Sequence, residues 1–346
     1  MYPRILFVLR DGTAPSNDYR ATVTSGVATS TRMIVEGLVV SGYDAKVVGV
    51  STESEIAHVV GRHQPTHVIV ETLWVNPTYF DPLMEQFPDV HWIVREHSES
   101  CFRVLEPYAF EWIIEYLQRG IEVMSNSMRS AMDVVTLAEA SQSDSSLATW
   151  GPNIYPIPDD TRMECRRHDD GTVHIGCFGA VRLMKNHITQ AVAAIAFADK
   201  VGCSLRFHIN GYDIPGYIDP ILNNLRLMFK KLPNHELVEH GWMTHDDFLV
   251  LLRSMDIVSQ VSFTETFNIV AADAMYEGVP LVTSKEVSWL GSYAHRDANS
   301  SDDIAIGYTR IWEESESHAN SRLHRQRRDM ERYTAEALTE WIRRFA

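Results

Sequence analysis

Two segments of the chain carry residue types that can handle a phosphorylated ligand. In the first, Gly179, Arg182, Lys185 and Asn186 lie between a strand-like run and a helix-like one. An arginine and a lysine three residues apart in such a loop can jointly neutralise a diphosphate leaving group, the task a magnesium ion performs elsewhere. Either residue alone reads more simply as a solvated cation beside a helix start. In the second, Ser262, Thr264, Glu265 and Asp273 follow a short apolar run that ends near Gln260. Thr264 is placed to cap a helix, which would leave the N–H groups of Thr266, Phe267 and Asn268 pointing at an anion. Glu265 would then sit at the helix mouth and Asp273 two turns later, where carboxylates accept from sugar or ribose hydroxyls. Taken alone, a carboxylate at a helix start is more often a partner of the helix dipole than a ligand.

The elements that must position these loops come in two series. Residues 4–9, 45–50, 67–70 and 91–94 read as buried strands, and residues 27–40 and 110–117 have helical spacing. Polar residues 141–146, then Gly151, Pro152 and Pro156, read as a linker region. Beyond it, strands at 173–178, 205–209, 237–239, 257–260 and 281–283 alternate with helices at 188–199, 220–229, 246–253 and 267–276. Such alternation predicts an α/β protein with two doubly wound, Rossmann-like parallel sheets, and a length of 346 residues is too great for one core. Ligands of such sheets bind beyond the carboxyl ends of the strands, where both loops fall. Met330, Tyr333, Ala337, Trp341 and Phe345 form a helical stripe that must bury itself on something.

Composition narrows the classes. The formal net charge is −15, which argues against sequence-independent binding to nucleic acid or an anionic membrane. The cluster Arg322, Arg325, Arg327, Arg328 and Arg332 reads as a solvated helix face, with a phosphate or nucleic-acid contact as the rival. Cys101, Cys165, Cys177 and Cys203 lack the close spacing of metal or redox motifs and read as free thiols. The opening residues fit a first strand better than a signal peptide, and no apolar run approaches the ~20 residues that span a bilayer, so a cytoplasmic location is expected.

The motifs follow a recognisable order: G-x-x-R-x-x-K-N from Gly179, Asn210-Gly211, His240-Gly241-Trp242, Asp256, S-x-x-E-x-F from Ser262, Asp273, and Glu277-Gly278-Val279-Pro280. Residues 173–284 thereby resemble the donor-binding half of the retaining GT-B glycosyltransferases of family four. The family's carboxylate pair is two glutamates; here the second is Asp273, one methylene shorter. The resemblance implies a GT-B fold, two Rossmann-like domains facing across a cleft with a C-terminal helix crossing back to the first. It divides the chain into an acceptor-binding domain (1–155), a nucleotide-sugar-binding domain (156–325) and that helix (326–346). Arg182 and Lys185 would hold the donor diphosphate, Glu265 the donor sugar and Asp273 the ribose. The backbone near Trp242 and Met243 would face the base, and Gly179, Asn210, Gly211 and Ser262 would line the pocket. In the first half, Gly26, within Thr24-Ser25-Gly26-Val27, resembles the family's glycine-rich loop. His97 resembles its active-site histidine, although a lone histidine after a strand is more often structural. Ser125-Asn126-Ser127 resembles the segment closing the first domain's cleft, and a plain helix cap accounts for it equally well.

The implied reaction is transfer of a sugar, with retention and without a metal or other cofactor, from a nucleoside diphosphate donor to a hydroxyl acceptor, most simply a saccharide. A UDP-sugar stands ahead of a GDP-sugar as donor. Rival readings are a related epimerase or phosphorylase, a catalytically silent sugar-nucleotide binder, and a transferase acting on modified bases in DNA.

Overall fold

The computed structural model describes residues 3–10, 26–157, 170–211, 219–241 and 243–346. Tight Cα clustering divides the chain into two units, Met1–Pro156 with Tyr333–Ala346, and Ile157–Arg332.

The first unit runs β1 (Arg4–Arg10), α1 (Gly26–Val40), β2 (Asp44–Val50), α2 (Ile56–His63), β3 (His67–Glu71), α3 (Phe80–Gln86), β4 (His91–Glu96), α4 (Ala109–Gln118), β5 (Glu122–Ser125), α5 (Met128–Ala140) and β6 (Ala148–Trp150). The strands form one parallel sheet in the order β2-β1-β3-β4-β5-β6. Runs such as Ile5–Leu9 are buried on both faces, which is why they show unbroken apolar sequence rather than alternation. Residues 148–150, within the stretch expected to be a linker, are instead the sixth strand. The strand is only three residues long and its side chains are half-buried, so it has no apolar run to announce it.

The second unit runs β7 (Thr172–Ala180), α6 (His187–Val201), β8 (Ser204–Asn210), α7 (Pro220–Phe229), β9 (His235–His240), α8 (His245–Leu252), β10 (Ile257–Gln260), α9 (Ile269–Tyr276), β11 (Leu281–Thr283) and α10 (Ser301–Glu313). Its parallel sheet has the order β11-β10-β7-β8-β9. Local signals set the helix starts: Asp219 accepts from the amides of Ile221 and Leu222 ahead of Pro220 in α7, and Thr244 accepts from Asp247 in α8. In each sheet the winding direction reverses once, between β1 and β3 in the first and between β7 and β10 in the second. The carboxyl ends of those pairs are where the topology opens a crevice.

The last helix, α11 (Glu316–Phe345), begins in the second unit and ends in the first. Its terminal stripe is core: Trp341 donates Nε1–H to the Pro152 carbonyl at 2.7 Å, and its ring meets Phe7 at 5.9 Å. Of the arginines before it, Arg325, Arg328 and Arg332 are exposed, as on a solvated face, and Arg322 is the exception. Arg322 is buried and ion-pairs with Glu314, Arg327 pairs with Glu331, Arg332 pairs with Asp329, and Arg325 lies over the Tyr293 ring. No described helix is long and apolar enough to cross a membrane.

Candidate functional site

At the switch point of the second sheet, two loops carry the charged residues. Near the end of β7 lies Gly179, whose φ of +105° only glycine adopts easily, and its amide donates to Asn210 Oδ1 at 2.8 Å. A single 3-10 turn, Leu183–Lys185, follows, and Arg182 is exposed at its start. Asn186, left-handed at φ +59°, ends the turn; its amide donates to the carbonyls of Val261 (3.0 Å) and Ala298 (2.8 Å). Gln190 ties the same loop to β10, accepting from Ser259 Oγ and Val261 N while donating to the Lys185 carbonyl. The Phe263 amide donates to the Met184 carbonyl at 2.9 Å, so the two loops are joined through their backbones.

This scaffold brings Lys185 Nζ to 2.6 Å from Glu265 Oε1, with Asn268 Nδ2 donating to the same oxygen at 3.0 Å. Glu265 is nearly enclosed, its side chain 7 % exposed against 26 % for Lys185. Asn268 also donates to Gln260 Oε1, fixing the carboxylate's position relative to β10.

The helix start differs from expectation. α9 begins at Ile269, not near Thr264, because Asn268 takes a left-handed conformation (φ +66°) and caps the helix through Oδ1 to the Ala271 amide. Thr266, Phe267 and Asn268 therefore belong to the loop and cap rather than to the first turn. The Phe267 carbonyl accepts from Trp289 Nε1–H at 2.8 Å, and the buried Phe267 ring lies against that of Trp289. The hydroxyls of Ser262 and Thr264 are buried with no hydrogen-bond partner among the described residues. Ser262 lines a hollow of about 660 Å³ beyond β10 and β11 whose other walls include Ser284, Lys285 and Arg296, and neither Lys185 nor Glu265 lines it.

Asp273, on the second turn of α9, is 2 % exposed and lies with Oδ1 2.9 Å from Nε2 of His245, at the start of α8. Met243 is half-buried in the loop before α8, and Trp242, Thr24 and Ser25 lie outside the described residues. A Cβ at Gly211 would crowd Glu239, whose Cβ lies 2.8 Å from it, so a side chain here requires Glu239 to shift. Cys177, on β7, has its thiol pushed up to about 12 by burial and is inert as a nucleophile. Cys101, Cys177 and Cys203 are free thiols.

A second polar centre occupies the first unit. His97, just past β4, places Nε2 2.6 Å from Glu71 Oε2, and Asn126 Nδ2 lies 3.3 Å from its Nδ1. Glu71 and Arg95 are fully buried and paired at 3.2 Å, and Arg95 is locked by the Gly151 carbonyl and Asn153 Oδ1. Burial works to raise the Glu71 pKa, but the charges of Arg95 and His97 outweigh it and hold the carboxyl below its usual range. A carboxylate held ionised against one imidazole nitrogen fixes the ring's orientation and tautomer. Gly26 is the first residue of α1, the helix whose Thr31 hydroxyl also bonds Glu71. Ser127 caps α5 through the Ser130 amide.

The structure thus assembles Lys185 with Glu265 and Asn268, and Gly179 with Asn210, within one unit, and sets His97 in the other. Sequence reading missed Gln190, Gln260, His245 and the Glu71–Arg95 pair, and named Asn186 without its ties to Val261 and Ala298. The only signal for Glu71 was a carboxylate closing an apolar strand, where burial demands a partner.

No protein-family model and no curated protein matches the sequence. Solved structures do match. A UDP-forming α,α-trehalose-phosphate synthase from Burkholderia xenovorans, crystallised with glucose 6-phosphate, superimposes with a TM-score of 0.73 at 9 % identity, over 99 % of each chain. Sucrose-phosphate synthase from Thermosynechococcus elongatus gives 0.68 at 14 % identity over 99 % of this chain and 98 % of that one. A glycosyltransferase from Rickettsia africae gives 0.65 at 12 % identity over the same shares. The chain has the two-sheet GT-B fold of these proteins.

Proposed function

We propose that the protein is a retaining glycosyltransferase that moves a sugar from a nucleoside diphosphate, a UDP-sugar ahead of a GDP-sugar, to a saccharide hydroxyl without a metal. The observation that carries the reading is the Lys185–Glu265 pair at the switch point of the second sheet. A cation and a carboxylate held there by Asn186, Gln190 and Asn268 match the two demands of such a donor, charge on the leaving diphosphate and hydroxyls on the sugar. Lys185, with Arg182 three residues earlier, takes the diphosphate as charge builds on the leaving oxygen, which is the work a divalent cation does in other transferases. Glu265 accepts from donor-sugar hydroxyls, and Asp273, oriented by His245, takes the ribose. His97, oriented by Glu71, is a further candidate for contact with a sugar. The preference for uridine is supported by structural neighbours described as UDP-forming synthases, that of B. xenovorans among them.

The test is release of nucleoside diphosphate from UDP-glucose, UDP-N-acetylglucosamine and GDP-mannose in the presence of EDTA, with the product's anomeric configuration read by NMR. Release that survives chelation and yields product with the donor's configuration supports the proposal. Binding of a nucleotide sugar without turnover would favour the silent-binder reading instead.

A further inference from the structure

A hollow of about 330 Å³ opens beside His97, at the carboxyl ends of β3 and β4. Its walls include Thr72, Ser98 and Glu106, and the start of α4 closes it. A second hollow of about 360 Å³, between Asn76, Thr78, Glu111 and Glu115, shares Tyr108 and Trp112 with the first. Those two aromatic residues, one helical turn apart, stack at 6.1 Å with 17° between planes, and Tyr108 is 60 % exposed. Thr72 forms part of the rim in a left-handed conformation, φ +69°, which a β-branched residue rarely adopts and which concentrates at ligand sites.

Four carboxylates line the two hollows, Glu96, Glu106, Glu111 and Glu115, and among the described residues no lysine or arginine does. The charge of Glu96 is matched from beneath by buried Arg103 at 2.8 Å, and that of Glu115 by Arg119 at 3.0 Å. Glu106 accepts only a neutral hydroxyl, from Ser98 at 2.7 Å, and Glu111 is exposed. A phosphate dianion placed here would meet uncompensated negative charge and none of the forked or ammonium donors that bind phosphate. A neutral sugar meets what it needs: carboxylates and hydroxyls to take its O–H groups, and the exposed Tyr108 ring with the half-buried Trp112 beside it for its C–H faces.

We propose that this double hollow binds an uncharged saccharide of two or more units, laid across Tyr108 and Trp112 with one end beside His97. Calling that saccharide the acceptor rests on the transferase reading; its binding does not. The preference is opposite in charge to the glucose 6-phosphate held in the B. xenovorans crystal.

The test is a printed array of neutral and phosphorylated glycans probed with the intact protein and with Trp112→Ala, while UDP binding of both is followed by calorimetry. Neutral oligosaccharides should be retained in preference to phosphorylated ones, and Trp112→Ala should weaken retention about fivefold, the worth of one aromatic contact, with UDP binding unchanged. Preference for phosphorylated glycans overturns the proposal, as does retention indifferent to Trp112→Ala. Absence of any retained glycan by protein that still binds UDP overturns it too, and leaves the transferase reading standing. Retention of neutral glycans by protein that binds no UDP upholds the saccharide surface and removes the transferase reading.

Discussion

Lys185 and Glu265 lie 80 residues apart in sequence and 2.6 Å apart in space, on the loops that leave the two strands flanking the switch point of the second sheet. Each charge satisfies the other, so a diphosphate that draws Lys185 away frees the Glu265 oxygen for a sugar hydroxyl. Glu265→Gln keeps the shape and removes the charge. It should lower turnover by about tenfold or more, with nucleoside diphosphate affinity changed far less, because the carboxylate addresses the sugar. A variant that loses UDP affinity and turnover equally contradicts this division.

Asn268 combines a left-handed backbone with the cap of α9 and a hydrogen bond to Glu265. Asn268→Gly gives up the cap at no backbone penalty, whereas Asn268→Ala adds about 1 kcal/mol of conformational strain to the loss. Thermal unfolding of the two variants should rank alanine as the less stable. Equal stability would mean that the conformation is not what selects asparagine.

The Glu71–Arg95 pair is fully buried, so breaking it leaves a charge stranded. Glu71→Gln should destabilise the protein by about 3–5 kcal/mol, read by denaturant titration. His97→Ala removes only a 12 %-exposed ring and should fold, bind UDP and turn over poorly. Wild-type turnover in that variant removes His97 from the site.

Acid should loosen the loop that carries Lys185. His187, the first residue of α6, is enclosed, and burial first and then Lys185 hold its imidazole down at about 4 against 6.5. In the unfolded chain it takes up a proton near pH 6.5, while the folded state resists until about 4. The His187 contribution to stability is therefore full above 6.5 and falls by about 3 kcal/mol between 6.5 and 4, and His67, also held down at about 4 by burial, declines over the same window. The Glu71 shift adds to the loss only below about 4.5, its unfolded value. His187→Gln should make the decline between 6.5 and 4 shallower by the His187 share, measured by denaturation at fixed pH steps.

Much of the architecture was legible because parallel strands buried on both faces leave unbroken apolar runs: β10 and β11 run between the residues at which their sequence pattern starts and stops. The start of α9 was not, since Thr264 and Asn268 are both good caps and only the backbone conformation of Asn268 decides between them. The strand β6 was hidden by its shortness. In the site, residue types and loop positions were readable, but pairings were not. Nothing in the sequence says that Lys185 meets Glu265, that Asp273 turns to His245 or that Glu71 orients His97, because each contact is made by the sheet's topology rather than by local spacing.

The most direct test of the account is calorimetric titration of UDP into the intact protein and into Lys185→Ala, both with EDTA present. Saturable binding to the intact chain, weakened about tenfold or more by the substitution, is the predicted result, since a charge-assisted contact to the diphosphate contributes on that scale. Absence of UDP and GDP binding by the intact, folded protein would contradict the donor site and leave the likeness to glycosyltransferases as one of fold alone.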